Sequence, residues 1–414
     1  MSAHPTSTPP VPAWLDVPSD PNDLVDGVWP TDAARDADGK LVIGGVAASA
    51  LARDYGTPLY VLDESEVRAH ALRAREAFAS AAARHGVAAR VYYAGKAFLS
   101  TEVVRWVTDA GLAVDVASGG ELAVALAAGV DPARIGVHGN NKSVAELERA
   151  VAIGVGSIVV DSFQEIERLA AVAEAAGAVQ PVLIRVNSGV HAETHDFLAT
   201  AHEDQKFGFT LADAVLAATR VREAVGLRLV GLHCHIGSQI FGTAGFAESA
   251  ARIVGLYADL QGGTDAEDLQ VLNLGGGFGI AYTRADTPTA IEVLADGIVD
   301  AVAAECAARG IRMPNLAFEP GRAIVGQAGV TLYTVGTTKA VALEHGLERL
   351  YVSVDGGMSD NARPALYGAQ YSARLASRVS DAAPHLVRVV GKHCESGDIV
   401  VDAEYLPADV APGD

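Results

Sequence analysis

Residues 90–139 run RVYYAGKAFLSTEVVRWVTDAGLAVDVASGGELAVALAAGVDPARIGVHG. Three short β-branched or apolar runs, RVYYAG, LAVDVAS and IGVHG, are separated here by Ala-, Leu- and Glu-rich stretches of helical length, the pattern of repeated βα units. Each run ends in something polar: Lys96, then Asp115 and Ser118, then His138 and Asn140. Working outward, the same alternation extends from about residue 51 to 322 and predicts eight strands. They are Arg90–Gly95, Leu112–Ser118, Ile135–Gly139, Ser157–Ser162, Val182–Asn187, Leu227–Ser238, Val271–Gly277 and Leu316–Pro320. Eight such units predict a closed (β/α)₈ barrel, whose chemistry gathers at the carboxyl ends of the strands because the loops there converge over one mouth. The remaining strand ends supply Asp161, Arg185, His235 and Ser238, Gly275 to Gly277, and Glu319 to Arg322.

After residue 322 the helical spacing gives way to GVTLYTV, RLYVSVDGG, HLVRVVG and GDIVVDAEY, which alternate as antiparallel strands do. The expected organisation is a loose Pro-rich tail over 1–22, a strand within 23–50 contributed to a β domain, the barrel over 51–322, and the β domain over 323–414. The chain is α/β in class, and its 414 residues suffice for both domains. Lys plus Arg number 31 against 51 Asp plus Glu, a net charge of -20 that repels nucleic-acid phosphates and anionic lipid. Three scattered cysteines build neither a disulfide framework nor a metal cluster. The first twenty residues carry neither a basic start nor a continuous apolar run, so a cytoplasmic protein is expected, with no membrane span.

Taken singly, the polar positions have plain explanations. Lys96 reads as a surface lysine at a strand end, Gly275–Gly277 as a bare turn, Glu319 and Arg322 as a salt bridge, and Cys394 as a small hydrophobe. Taken together they suit one chemistry. A lysine delivered to a barrel mouth away from bulk water favours the neutral, nucleophilic amine that attacks an aldehyde. A glycine turn lets backbone N–H groups close around a phosphate, and a carboxylate facing a pyridine nitrogen keeps it protonated. His233 and His235, two apart on one strand, raise a metal-dependent hydrolase as a rival. The other strand ends, with a lysine, three glycines and an arginine, argue against it, and no metal is expected.

In order, YYAGK, DVASGGEL, HCHIGSQ, GGGFG, EPGR, DGGMSDNARPALY and CESGD resemble the barrel-type pyridoxal-phosphate decarboxylases that act on ornithine, arginine or diaminopimelate. Within that family, TAHEDQKFG and the pairing of ARPALY with CESGD resemble the diaminopimelate branch. The resemblance implies decarboxylation of meso-diaminopimelate to L-lysine, with an ornithine or arginine decarboxylase, or an inactive dimerising relative, as alternatives. It implies that Lys96 holds pyridoxal 5'-phosphate covalently, His235 stacks on its ring, Glu319 faces the pyridine nitrogen, and Cys394 reprotonates the α-carbon. Asp115, Arg185, Ser238, Gly275, Gly276, Gly277, Pro320, Gly321 and Arg322 complete the cofactor set by the same resemblance. Arg322, Arg363, Tyr367, Glu395 and Ser396 are the implied substrate contacts. A homodimer follows as well, each CESGD loop reaching the partner's barrel. The family pattern continues past the position of VAPGD with further strands and a site tyrosine, so the expectation is a β domain incomplete at its C-terminus and a chain that binds cofactor but turns over slowly.

Overall fold

The apolar runs form the barrel that their spacing predicts. A computed structural model describes residues 11–190, 206–262, 269–343 and 348–414. Its barrel strands are Ala89–Ala94, Ala113–Val116, Ile135–Val137, Ser157–Val160, Gln180–Arg185, Leu227–His233, Val271–Asn273 and Asn315–Phe318. All pair in parallel, and the eighth closes on the first through Leu316↔Ala89 and Phe318↔Val91. The second, third and fourth strands are buried at every residue, as expected of strands covered on both faces. Helix starts are written into the loops: Ser100, Ser118, Ser143, Ser162 and Thr210 each accept a backbone N–H from the first turn of the following helix. Ser143 and Glu146 complete a capping box. Beside the barrel strands, Phe78 stacks on Phe318 with ring centroids 3.8 Å apart, and Phe278, directly after the glycine turn, packs 5.4 Å from Phe78 and 5.3 Å from Phe246. The turn is thereby fixed from one side.

The chain divides into two units, one of residues 67–279 and 288–326 and the other of residues 1–66, 280–287 and 327–414. The split corrects the expected barrel bounds of 51 and 322. Helix Ala48–Tyr55 and strand Leu59–Leu62 belong with the second unit, where Leu59–Leu62 pairs antiparallel with Gly329–Leu332. No strand from residues 23–50 joins the main sheet of that unit, contrary to expectation. Ala34–Arg35, Leu41–Ile43 and Val46–Ala47 form their own small antiparallel sheet, with Leu41 and Ile43 buried beside Leu332. The main sheet has four strands, Val335–Ala342, Glu348–Val354, Pro384–Val390 and Ile399–Pro407, mixed in direction because Glu348–Val354 and Pro384–Val390 run parallel. Its core is a run of valines: Val335, Val352, Val354, Val387, Val389, Val400 and Val401.

The loose tail also needs correction over its described part. Leu15 is only 4% exposed and packs with Leu386, Ala403 and Tyr405, because one apolar residue next to an uncovered sheet face gains more by burial than the short segment loses by ordering. Residues 1–10 of that expectation lie outside the described residues. No helix among the described residues is long and apolar enough to cross a membrane.

Candidate active site

Lys96 stands on a single 3₁₀ turn, Gly95–Ala97, directly after the first barrel strand. Two features fix the turn. A side chain at Gly95 would put its Cβ 2.7 Å from the Asp115 carbonyl, and the buried Tyr93 hydroxyl donates to the Phe98 carbonyl. Lys96 itself is exposed, which corrects the expectation of a desolvated amine: a strand-end residue on a protruding turn leaves the barrel's apolar interior behind. Its side chain lines a cleft with Asp115, His138, Arg185, His235 and Glu319.

Glu319, 7% exposed, ends the eighth strand and sits at the centre of a polar cluster. Asn273 Nδ2 donates to its Oε1 at 2.7 Å, His233 Nε2 lies 3.1 Å from Oε1, and His138 Nε2 lies 3.4 Å from it. Register brings these together, since His233 is directly opposite Asn273 on neighbouring strands. The orientation of Asn273 is forced: its other atom, Oδ1, accepts the Gly275 N–H at 2.9 Å, and a carboxylate can only accept while an amide N–H can only donate. The same reasoning places the hydrogen of His233 on Nε2 and leaves Nδ1 bare, and Nδ1 has no hydrogen-bond partner among the described residues.

Burial pushes His138 and His233 down to about 4, so both rings are neutral near pH 7. His235 goes down to about 3, through burial first and the nearby Lys96 next. For Glu319 burial alone acts upward, but His233 and His138 beside it outweigh burial and hold the carboxyl well below its usual range. Asp115 moves the other way, well above its range, through burial and then the charge of Glu319. The two buried carboxyl groups are thus biased in opposite directions, Glu319 towards its charged form and Asp115 towards its protonated one. Neither Asp115 oxygen has a hydrogen-bond partner among the described residues, although His138 Nε2 is 3.2 Å from Oδ1.

An anionic carboxylate, an orphaned acid and a primary amine lining one cleft fit a group that brings an aldehyde and a protonated ring nitrogen, as pyridoxal phosphate does. The donor set of His138, His233 and Glu319, with ligand atoms all within 4.8 Å of one another, also has the composition of a metal site. This trio differs from the sequence-level metal pair: His235 lies beyond the strand end, its Nδ1 accepting the Gly276 N–H at 3.3 Å, and it does not join His233 in the cluster.

The glycine turn is tighter than the sequence suggests. Gly275 and Gly277 have φ of +70° and +110°, and a Cβ on any of Gly275, Gly276 or Gly277 would fall within 2.5 Å of a backbone oxygen, of Cys234, Glu319 or Gly237. Two of the three amides expected to face a phosphate are committed elsewhere, Gly275 to Asn273 and Gly276 to His235. Gly277 N–H makes no hydrogen bond among the described residues. Arg322 Nη2 donates to Ser238 Oγ at 3.0 Å near this turn, and the Pro320 carbonyl accepts from Ala94 N, joining the eighth strand end to the first. Gly321 lies against Ala94 and Ala97, with 3.0 Å of room for a Cβ.

Arg185 is half-buried, its guanidinium 4.3 Å from the centre of the Phe207 ring. Gly208 N–H donates to Asp161 Oδ1 at 2.5 Å, so the described end of TAHEDQKFG is pinned to the fourth and fifth strands. Residues 200–205 of that motif lie outside the described residues. Sequence reasoning missed the joint action of His138, His233 and Asn273, and also a buried pair below them. Lys142, 4% exposed, gives its three hydrogens to Gly139 O, Val159 O and Glu165 Oε1 at 2.6–2.7 Å. The available signal was the polar residue within an apolar run, as in VLNLGGG.

In the other unit, Arg363 opens a short helix, Arg363–Tyr367, and its guanidinium lies 5.3 Å from the centre of the exposed Tyr367 ring. Arg363 Nε is buried and has no hydrogen-bond partner among the described residues. Cys394, Glu395 and Ser396 are exposed on one loop, where Ser396 Oγ donates to Glu395 Oε1 at 3.2 Å.

Comparison with known proteins agrees with this geometry. The family model described as pyridoxal-dependent decarboxylase, pyridoxal binding domain, matches residues 64–326. The diaminopimelate decarboxylase of Mycobacterium tuberculosis (strain ATCC 25618 / H37Rv) is 53% identical over 396 residues, 94% of this chain and 87% of that relative. That of Bacillus subtilis (strain 168) is 46% identical over 380 residues, 91% and 84% of the two chains. Among solved structures, diaminopimelate decarboxylase from M. jannaschii in co-complex with L-lysine superposes with a TM-score of 0.83 at 31% identity, covering 93% of this chain and 87% of that one.

Proposed function

This chain belongs to the diaminopimelate decarboxylases, pyridoxal-phosphate-dependent carboxy-lyases, and we propose that its residues carry out the removal of carbon dioxide from meso-2,6-diaminopimelate, leaving L-lysine. The observation that carries the assignment of roles is the convergence of Lys96, Asp115 and the anionic Glu319 on one cleft at the carboxyl ends of the barrel strands. When bound, pyridoxal phosphate supplies an aldehyde for an amine and a ring that takes up the electron pair left by a departing carboxylate.

The chain's own groups do the rest. Lys96 Nζ is the amine that tethers the cofactor, and Glu319 is the fixed acceptor for a ring N–H, held in its charged form by Asn273 and His233. His235, its Nδ1 edge held by the Gly276 N–H, supports a ring face, and Asp115 and Arg185 line the same cleft. Gly277 N–H, Ser238, Gly321 and Arg322 serve the phosphate end, with Gly275, Gly276 and Pro320 shaping the turn rather than binding through their amides. On the substrate side, Arg322, Arg363 and Tyr367 receive carboxylate, Glu395 the distal ammonium, and Ser396 steadies Glu395. Cys394 Sγ gives its proton to the α-carbon as carbon dioxide leaves, and recovers one from solvent. Exposure of Cys394 and Glu395 within a single chain supports a homodimer in which each loop serves the partner's barrel, and the place of work is the cytoplasm.

The test is a substrate panel. Purified protein supplied with pyridoxal phosphate should release carbon dioxide from meso-diaminopimelate far faster than from ornithine, arginine or lysine. Arg363→Ala should cost about 2–4 kcal/mol in kcat/KM, since a charged group is left unpaired in a partly desolvated site. Comparable turnover of ornithine would overturn the substrate assignment.

A further inference from the structure

Two loops of the smaller unit carry the residues assigned above to substrate and proton transfer, and one buried carboxylate joins them. Asp398 is 2% exposed. Its Oδ1 accepts the Met358 N–H at 2.6 Å and its Oδ2 accepts the His393 N–H at 2.7 Å. Gly357 and Gly391 press against it so closely that a Cβ on either would lie 2.4 Å or 2.2 Å from a carboxylate oxygen. Further bonds run alongside: Lys392 N–H donates to Gly356 O at 2.9 Å, Gly391 N–H to Asp398 O at 2.9 Å, and His393 Nε2 meets Ser359 Oγ at 2.8 Å. The 355–360 loop is itself anchored, since Asp355 accepts from Thr57 Oγ1 at 2.5 Å and from Thr334 N at 2.9 Å, and Asp360 accepts from Gly357 N at 2.8 Å.

We infer that Asp398 is a positioning residue, clamping the 391–397 loop onto the anchored 355–360 loop and so setting where Cys394 stands. The loops it joins are otherwise unlike. One leads straight into Arg363–Tyr367 and the other exposes Cys394, Glu395 and Ser396. Those three side chains are exposed among the described residues, so the backbone clamp at the base of their loop holds them in place. A carboxylate suits the joint because it accepts from two backbone donors at once, and charge-assisted bonds of this kind are about twice as strong as neutral ones. An asparagine of the same shape offers one acceptor, and its NH₂ would confront the other donor. The role assigned to the loop rests on the proposed function, whereas the clamp is a matter of geometry.

Cys234 and Cys306 are buried and Cys394 is exposed, so a small thiol reagent applied to the holoenzyme reads Cys394 alone. For Asp398→Asn, the rate of Cys394 modification should change at least threefold. Turnover should fall on the order of 10- to 100-fold, as a displacement of about 1 Å costs in well-positioned sites. Cofactor occupancy should stay near that of the parent, since the cofactor residues belong to the barrel, whereas KM should rise because Glu395 moves with the same loop. Gly391→Ala, which drives a methyl into the same carboxylate, should reproduce this pattern, and it carries the test alone if the Asn variant does not fold. A purely structural Asp398 would instead lower the melting temperature with modification rate and kcat unchanged. Modification rates and kcat within twofold of the parent in a folded variant overturn the clamp. If Cys394→Ala retains parental turnover, the acid assignment falls, while the modification rate still judges the clamp.

Discussion

Replacing Asn273 by alanine removes one buried side chain and strands two partners. Glu319 Oε1 loses the 2.7 Å bond from Nδ2, and the Gly275 N–H loses its acceptor at 2.9 Å. A hydrogen bond to a charged group contributes about 1.5–3 kcal/mol, and a buried donor left without an acceptor costs about 1–3 kcal/mol. Water reaches a site that is 4% exposed poorly, so little of this is recovered, and the expected destabilisation is about 3–5 kcal/mol. That is a large fraction of what a folded domain possesses. Urea unfolding of parent and variant measures the total, and a double-mutant cycle with Glu319→Gln separates the two contributions. The coupling between positions 273 and 319 should be about 1.5–3 kcal/mol, with the remainder owed to Gly275. A total below about 1 kcal/mol, or a coupling below about 0.5 kcal/mol, would refute the idea that Asn273 holds the carboxylate and the turn together.

Three further outcomes are expected. His138 and His233 titrate near 4 when folded against an ordinary 6.5, so below pH 6.5 the unfolded chain binds protons that the folded one refuses, and stability falls as pH drops from 6.5 towards 4. Each ring accounts for about 2 kcal/mol between pH 7 and pH 5, so His138→Gln should shrink the pH-dependent loss seen in urea midpoints by that amount, and an unchanged slope would count against a neutral buried ring. Borohydride reduction of the holoenzyme followed by peptide mapping should label Lys96 and leave Lys142 untouched, because Lys142 Nζ is buried with three acceptors; a pyridoxyl group on Lys142 or Lys206 would break the site assignment. Mixing Lys96→Ala with Cys394→Ala protein should restore roughly a quarter of parental activity after subunit exchange, since a hybrid dimer has one site with neither lesion; verified exchange with no recovery would show that each loop serves its own barrel.

The barrel was legible because its strands are buried on both faces, which writes continuous apolar runs that end at the mouth: Arg90–Gly95 was expected where Ala89–Ala94 forms. The run Leu227–Ser238 overshot, since buried Cys234 and Ile236 keep a strand-like alternation after pairing stops at His233, and the turn that ends it depends on Gly237 and on Gln239 at φ +63°. Lys96, Asp115, Arg185, His235 and Glu319 were readable as strand-end residues. The cluster around Glu319 was not, because which side chains meet across strands is fixed by register, and His233 opposite Asn273 follows from pairing rather than composition. The smaller unit was read least well. Its two- and three-residue strands leave almost no periodicity, and Leu59–Leu62 finds its partner far along the chain.

That last pairing sets an order of events during synthesis. Strand Leu59–Leu62 leaves the ribosome roughly 270 residues before Gly329–Leu332, its only ladder partner among the described residues, which at typical elongation rates is a wait of about 15–50 s. The whole barrel emerges in that interval and can close on its own contacts. The LYVL segment meanwhile carries an unpaired apolar edge, which is the kind of surface that holdase chaperones capture and that nascent chains on crowded polysomes use to join one another. Slowing translation after the barrel would lengthen the interval in which that early strand lacks its partner rather than shorten it.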